Sequence, residues 1–354
     1  MGRVIRIAVV YGGRSTEHSI SCISAGSIMA ELDPQRYEVF PVGITREGAW
    51  VVGELDPIAG ETLPEVTGGR EIALSLNPAR RGEFVDALSG EVLASVDVIF
   101  PVLHGKYGED GTIQGMFELS GVPYVGPGVL ASACGMDKEY TKKLVHLAGI
   151  PTTAEAILAP GQMLDDATRQ RLGLPVFVKP ASGGSSIGVS KVSSWEELDA
   201  AVALALESDN KVIVEAELVG DEVEIGVLEF PDGQVKASVP ARLNGTEDSA
   251  EGFYGFETKY LEDEVTATIP APYDEETLGQ LRELAVRAYR ALDCKGLARV
   301  DFFVTQDGPV LNEVNTMPGF TPISMYPQMW LASGLSYGQL LDTLVSTALA
   351  GSGR

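Results

Sequence analysis

The chain has 354 residues, 45% of them hydrophobic, with 26 Lys and Arg against 50 Asp and Glu, a net charge of −24. That length suits two or three domains of roughly 150 residues each, and so acidic a surface is set against DNA, RNA and anionic membranes, whose nonspecific capture needs a cationic face. No apolar run approaches the roughly 20 residues that span a bilayer, the first residues read as neither signal peptide nor lipidation signal, and three scattered cysteines (Cys22, Cys134, Cys294) suit reduced thiols in a cytoplasm better than disulfides or a zinc site.

Residues 4–11 form an apolar run ending in Gly12-Gly13, the pattern of a buried parallel strand entering a glycine turn. A helical stretch follows to about Leu32, then a strand over 37–44. Residues 53–92 are rich in Gly, Pro and charge, and read mostly as loop and edge structure. Residues 96–103 form a third strand running into His104-Gly105. This alternation predicts an α/β domain with a parallel sheet, whose ligands bind beyond the carboxyl ends of the strands. The segments from Gly12 to Glu17 and from His104 to Gly111 both lie there.

A second region opens near Asp137-Lys138 with a helix over 137–148. Strands are predicted at 175–180, 188–192 and 211–215, with a helix at 194–207 between the last two. Past Gly220 a strand runs to a Pro231-Asp232-Gly233 turn. Residues 244–264 are acidic, aromatic and aperiodic, a length and composition that suit a lid. A helix over 274–292, a hairpin over 297–315 and a helix near 336–349 complete the chain.

Three constellations carry chemistry. In the hairpin, side chains alternate, so Arg299 and Asp301 share one face, as do Glu313 and Asn315. With Gln306-Asp307-Gly308 as the loop, Asp301 faces Glu313 and Arg299 faces Asn315. Carboxylates so close repel. A hard cation such as Mg²⁺ would relieve that; a polar outer face of an edge hairpin is the other reading. Second, Lys179 on a strand precedes the small-residue loop Ser182-Gly183-Gly184-Ser185-Ser186, which is either a phosphate cover or an ordinary flexible loop. Third, Glu215, Ala216, Glu217 and Leu218 end a strand and Glu222 follows; such a strand end can read an adenine edge, although most such glutamates are solvated surface. Gly126-Pro127-Gly128-Val129-Leu130-Ala131 imitates a dinucleotide fingerprint, but position 151 is proline where an acidic residue is needed, which disfavours a nicotinamide enzyme.

Read in order, the segments Gly12 to Ser21, His104 to Gly111, Met136-Asp137-Lys138, Lys179 to Gly188, Arg299-Val300-Asp301 and Asn312 to Gly319 resemble the ATP-grasp superfamily, and within it the D-alanine–D-alanine ligases. The resemblance covers nearly the whole chain. It implies an ATP-grasp fold with an N-terminal parallel-sheet α/β substrate domain (1–135), a central lobe (136–222) and a C-terminal lobe (223–354) bearing the lid and the metal. It implies ATP-driven joining of two D-alanines through an acyl phosphate, for peptidoglycan. By that resemblance Lys138 and Lys179 bind the α- and β-phosphates, Ser185 and Ser186 close over them, and Lys259 contacts the transferred phosphate. Glu215, Ala216 and Leu218 meet adenine, Glu222 meets the ribose, and Asn312 belongs to the ATP site. Asp301, Glu313 and Asn315 hold two Mg²⁺ ions, with Mn²⁺ as a substitute. Glu17 takes the ammonium of the first D-alanine, near His104, and Ser185 and Tyr260 link Glu17 to the lid. Ser324 and Met325 take the second carboxylate, while Arg299 and the N–H of Gly319 stabilise the oxyanion. A homodimer is implied as well. Two departures stand out: Ala216 where some relatives carry lysine, and Thr321-Pro322-Ile323 before Ser324 where a variant has histidine. The rivals are an ATP-grasp ligase with D-lactate or D-serine as acceptor, and a catalytically dead nucleotide-binding regulator.

Overall fold

The computed structural model describes residues 3–52, 63–184, 187–245, 266–321 and 323–351. β1 (Ile5–Gly12) has six consecutive buried residues, as a strand covered on both faces must. It pairs in parallel with β2 (Tyr37–Ile44) on one side and β7 (Val98–Val102) on the other. α1 (His18–Glu31) makes the first crossover. Gly12 at the end of β1 has φ +88°, and a Cβ there would stand 2.4 Å from the Ile44 carbonyl oxygen, so the turn admits only glycine.

The stretch expected to be loop and edge is more structured than that. After β3 (Trp50–Val52), which precedes it, this stretch holds β4 (Arg70–Leu74), β5 (Glu83–Asp86) and the start of β6 (Val92–Ser95), and the sheet has seven strands in the order β6-β5-β4-β3-β2-β1-β7. These strands are short and antiparallel, with one face buried, so their apolar residues come in ones and twos that glycine and charge obscure. Beyond β7 come α2 (Thr112–Ser120) and α3 (Val129–Met136), the latter occupying the false dinucleotide fingerprint.

Asp137 caps α4 (Lys138–Leu147), its carboxylate accepting from the Glu139 and Tyr140 N–H groups. Then β8 (Glu155–Leu158), α5 (Asp166–Leu172), β9 (Val176–Pro180), β10 (Ser190–Val192), α6 (Leu198–Leu206) and β11 (Val212–Ala216) follow. Their strands form an antiparallel sheet ordered β10-β9-β11-β8. A third sheet holds β12 (Asp221–Glu229), β13 (Val235–Ala237), β14 (Ala241–Asn244) and β15 (Thr266–Thr268) together with β16 (Leu297–Thr305) and β17 (Gly308–Asn315). Between β15 and β16 lies α7 (Glu275–Ala291), which buries Leu278, Leu281, Leu284, Ala285, Ala288 and Tyr289 as one stripe at helical spacing. α8 (Met325–Ala332) and α9 (Tyr337–Gly351) end the described chain.

One core joins distant parts of the sequence. Ile7, Val9 and Phe100 of the first sheet pack with Leu228 and Leu297 of the third, with Phe320 and Tyr326, and with Leu341 and Leu344 of α9. The first and third sheets are thereby held on one apolar centre. Among the described residues no helix is long and apolar enough to cross a membrane, and Cys22, Cys134 and Cys294 are free thiols.

Candidate active site

A cleft of about 840 Å³ opens where the three sheets meet. All sixteen described residues of the sequence-based site set line it: Glu17 and His104 from the first sheet, Lys138, Lys179, Glu215, Ala216 and Leu218 from the second region, and Glu222, Arg299, Asp301, Asn312, Glu313, Asn315, Gly319, Ser324 and Met325 from the third. Ser185, Ser186, Lys259 and Tyr260, and nearly all of the expected lid, lie outside the described residues.

The β16–β17 hairpin sets the polar heart of the cleft. Asp301 pairs with Glu313 and Arg299 with Asn315. The register matches the sequence reading for a different reason. The loop is only Gln306-Asp307, since Thr305 pairs with Gly308; a bulge at Asn312 supplies the extra residue and re-aims the strand. On the other side of β16, Glu224 pairs with Asp301. Glu224, Asp301 and Glu313 thus form a row of carboxylates across three adjacent strands. Arg299 answers this repulsion: its Nε and Nη2 lie 2.8 and 2.7 Å from the two Asp301 oxygens, and its Nε lies 3.2 Å from Glu224. With its amide turned to satisfy both neighbours, Asn315 accepts from Arg299 (3.1 Å) and donates to Glu109 (3.3 Å). Burial works against the Arg299 charge, but Asp301 and Glu224 outweigh it and raise its pKa well above the usual value. Among the described residues Nη1 of Arg299 makes no hydrogen bond.

The donors around Asp301 are all oxygens, two carboxylates and an amide, the hard set that Mg²⁺ prefers. No three His, Cys, Asp or Glu side chains among the described residues converge on a metal position. A cation here would therefore share its shell between Asp301, Glu313, Asn315 and oxygens of a ligand. The residues fit Mg²⁺ on that basis.

The second region supplies cations. Lys138 donates to the Gly183 carbonyl (2.7 Å) and lies 4.0 Å from Glu313. Lys179 contacts Glu215, which also contacts Lys142. Burial alone would raise the Glu215 pKa; Lys179 and Lys142 overcome it and hold the carboxyl at about 2. Lys179, buried likewise, has its pKa raised because Glu215 more than offsets the desolvation. The Glu215 side chain is thus committed to two lysines. The Ala216 N–H donates to Ala154 (2.9 Å) and its carbonyl accepts from Thr153 (3.1 Å).

Glu17 heads α1 but does not cap it. Its Oε2 lies where a Cβ on Gly105 would be 3.4 Å away and one on Gly184 3.8 Å away, so two glycines leave room for this carboxylate. His104 Nδ1 is 3.1 Å from the Met317 carbonyl oxygen, which can only accept; the proton is therefore on Nδ1. Nε2 is an acceptor, buried and without a partner among the described residues. Burial lowers the His104 pKa despite Glu17 nearby, keeping the ring neutral.

On the far wall, the Gly319 N–H makes no hydrogen bond among the described residues. Ser324 precedes α8, its Oγ accepting from the Thr321 N–H (3.0 Å), so the helix N-terminus faces the cleft with Met325. Gln328 lines the cleft too.

Sequence reasoning missed Glu109, Glu224, Lys142 and Gln328. Glu109 lay inside a quoted motif: it accepts from the Gly105 N–H (2.6 Å) and the Met317 N–H (3.1 Å), tying the first sheet to the strand end after Asn315. Burial, with Glu17 nearby, pushes its pKa up to about 8. An inward position for Glu224 was available from the alternation of its strand; for Lys142 and Gln328 no local signal existed.

Known proteins resemble this chain in sequence and fold. The family model described as D-ala D-ala ligase N-terminus matches residues 6–127, and D-ala D-ala ligase C-terminus matches 144–346. The chain belongs to the D-alanine–D-alanine ligase family. A D-alanine–D-alanine ligase of Corynebacterium diphtheriae is 63% identical over 98% of this chain and 95% of its own. The crystal structure of the VanG D-Ala:D-Ser ligase from Enterococcus faecalis matches with a TM-score of 0.83 at 36% identity, covering 98% of this chain and 100% of that one. The D-alanine–D-alanine ligase from Bacillus anthracis, complexed with ATP, matches with a TM-score of 0.75 at 28% identity, covering 99% of each. The family's ATP-grasp fold is the architecture described above.

Proposed function

We propose that this chain joins two D-alanines at the expense of ATP, giving D-alanyl-D-alanine, ADP and phosphate for cell-wall peptidoglycan. The observation that carries the reading is the single cleft in which paired lysines, a carboxylate row and a separate acceptor pair, Glu17 with His104, converge. The bound ATP of the Bacillus anthracis relative supports the nucleotide.

In this reading the adenine lies along the end of β11, from Glu215 to Leu218, with Glu222 on the ribose and Asn312 beside the phosphates. Because Glu215 and the Ala216 N–H are already engaged, the adenine edge is left mainly to the Leu218 backbone and the second lone pair of the Ala216 carbonyl. Lys138 and Lys179 face the α- and β-phosphates, under Ser185 and Ser186, and Lys259 meets the transferred phosphate. Asp301, Glu313 and Asn315 would hold two Mg²⁺ ions, replaceable by Mn²⁺, which would neutralise the charge of phosphoryl transfer.

Glu17 and His104 Nε2, both acceptors, receive the ammonium of the first D-alanine and turn its carboxylate toward the γ-phosphate. One carboxylate oxygen attacks phosphorus, ADP departs, and an acyl phosphate forms. The second D-alanine places its carboxylate at the N-terminus of α8, on Ser324 and the Met325 N–H. Its amine adds to the acyl carbon, and the oxyanion meets Arg299 Nη1 and the Gly319 N–H. Phosphate then leaves, carrying the former carboxylate oxygen, and the amine's extra proton goes to solvent. Ser185 and Tyr260 tie Glu17 to a lid over 244–264.

The chain divides in this account into the substrate domain 1–135, the central lobe 136–222 and the C-terminal lobe 223–354. It works in the cytoplasm, as a homodimer, with its three thiols reduced. The test is ADP release with Mg²⁺, stimulated by D-alanine, with D-serine and D-lactate as competing acceptors. D-Alanyl-D-alanine as the main product supports the reading, and no stimulation by any D-amino acid overturns it.

A further inference from the structure

Lys142 is an anomaly on α4. It stands one turn after Lys138, but its side chain is only 3% exposed. A lysine so buried needs a partner. It has two, on adjacent strands: it lies 3.3 Å from Glu155 of β8 and contacts Glu215 of β11. Those glutamates are directly opposite one another in the β8–β11 ladder. Two like charges at that spacing destabilise a sheet, and here the Glu215 side chain is 6% exposed and cannot turn to solvent. Lys142 is the cation that lets the pair stand. Glu215 in turn holds Lys179, which faces the cleft.

We propose that Lys142 is a positioning residue for the nucleotide site: it neutralises the Glu155–Glu215 pair from behind, so that Glu215 fixes Lys179 where the phosphates bind. The inference rests on the ATP reading above. Without Lys142, Glu155 repels Glu215 at close range. Glu215 is then left with Lys179 alone, which is drawn back from the cleft toward it. The second region carries Lys179, whereas Glu17, His104 and Ser324 lie on other walls. The effect therefore falls on ATP and not on D-alanine.

Steady-state kinetics of the full chain test this. The wild type is measured first; if it does not use ATP, the functional reading fails and not this inference. In Lys142→Met the KM for ATP rises on the order of ten- to a hundredfold, the loss typical when a group orienting a direct contact is removed. KM for D-alanine stays as in wild type. Adding Glu155→Gln to Lys142→Met removes the repulsion and brings KM for ATP most of the way back. Lys143→Met, on the exposed side of the same helix, leaves both constants unchanged. Should Lys142→Met not fold, Lys142→Arg decides: the charge survives, but a planar fork does not sit between both carboxylates in the same way. KM for ATP then rises severalfold while KM for D-alanine holds. An unchanged KM for ATP, equal shifts in both constants, or no recovery with Glu155→Gln overturns the inference.

Discussion

Replacing Arg299 by methionine tests the electrostatic centre of the cleft. The substitution keeps most of the aliphatic stem and removes one charge. The Glu224 side chain is 4% exposed and that of Asp301 13%, and the two pair directly across β12 and β16. Both would lose that counter-charge beside Glu313 while remaining largely buried in the cleft wall. Removing one partner of a buried charge pair costs about 3–5 kcal/mol, because the remaining charge stays desolvated. For 354 residues the unfolding entropy makes each kcal/mol worth about 1.3 °C, so the midpoint of thermal unfolding should fall by roughly 4–7 °C. Melting of the nucleotide-free protein, followed by circular dichroism, measures it. Adding Glu224→Gln should recover part of the loss by removing one of the stranded charges. If Arg299 is the oxyanion donor proposed above, turnover, assayed well below the melt, should fall by roughly 10²–10³-fold. A melt within about 2 °C of wild type, or a double variant less stable than Arg299→Met, would show that Arg299 does not hold the carboxylate row together.

Other expectations follow from the same geometry. The Glu109 carboxyl, ordinarily near 4.5, is raised to about 8 in the folded protein. A raised carboxyl contributes stability that is complete below its unfolded value and is lost as pH rises through the folded one. Glu109→Gln should therefore flatten the decline of melting temperature between about pH 5 and 8, and an unchanged slope would contradict the assignment. In Gly319→Ala a Cβ would stand 2.9 Å from Ser324 Oγ; on the proposed mechanism kcat should fall on the order of tenfold or more while stability barely changes, because the wall proposed to meet both the oxyanion and the second substrate must shift. Phe320 packs edge-on to Phe100 and Tyr337, bridging the first sheet and the C-terminal helices. Phe320→Ala should cost about 3–5 kcal/mol in denaturant unfolding. Lys179→Met should raise KM for ATP with little change in KM for D-alanine, and equal effects on both would argue against a phosphate role.

Much of this arrangement was legible because it rests on local pattern. β1 announced itself by its apolar run, and the hairpin by its alternation and turn. The Asp301–Glu313 pairing was right although its reason was not: a shorter loop and a bulge at Asn312 cancel, and nothing local distinguishes that from a longer loop. β4 and β5 were lost because short strands with one buried face carry few apolar residues. Neither Glu224 nor Lys142 was singled out from the sequence. Only the tertiary fold sets Glu224 beside Asp301 and Arg299, and Lys142 of α4 against Glu155 of β8 and Glu215 of β11. Glu109 is the same case, since its partner Met317 is 208 residues away.

The most direct test of the acyl-phosphate ligation uses D-alanine labelled with ¹⁸O in its carboxylate, with ATP and Mg²⁺. The mechanism predicts D-alanyl-D-alanine equimolar with ADP, and inorganic phosphate carrying one ¹⁸O atom drawn from the carboxylate of the first substrate. Dipeptide with unlabelled phosphate, or ADP without dipeptide, would contradict it.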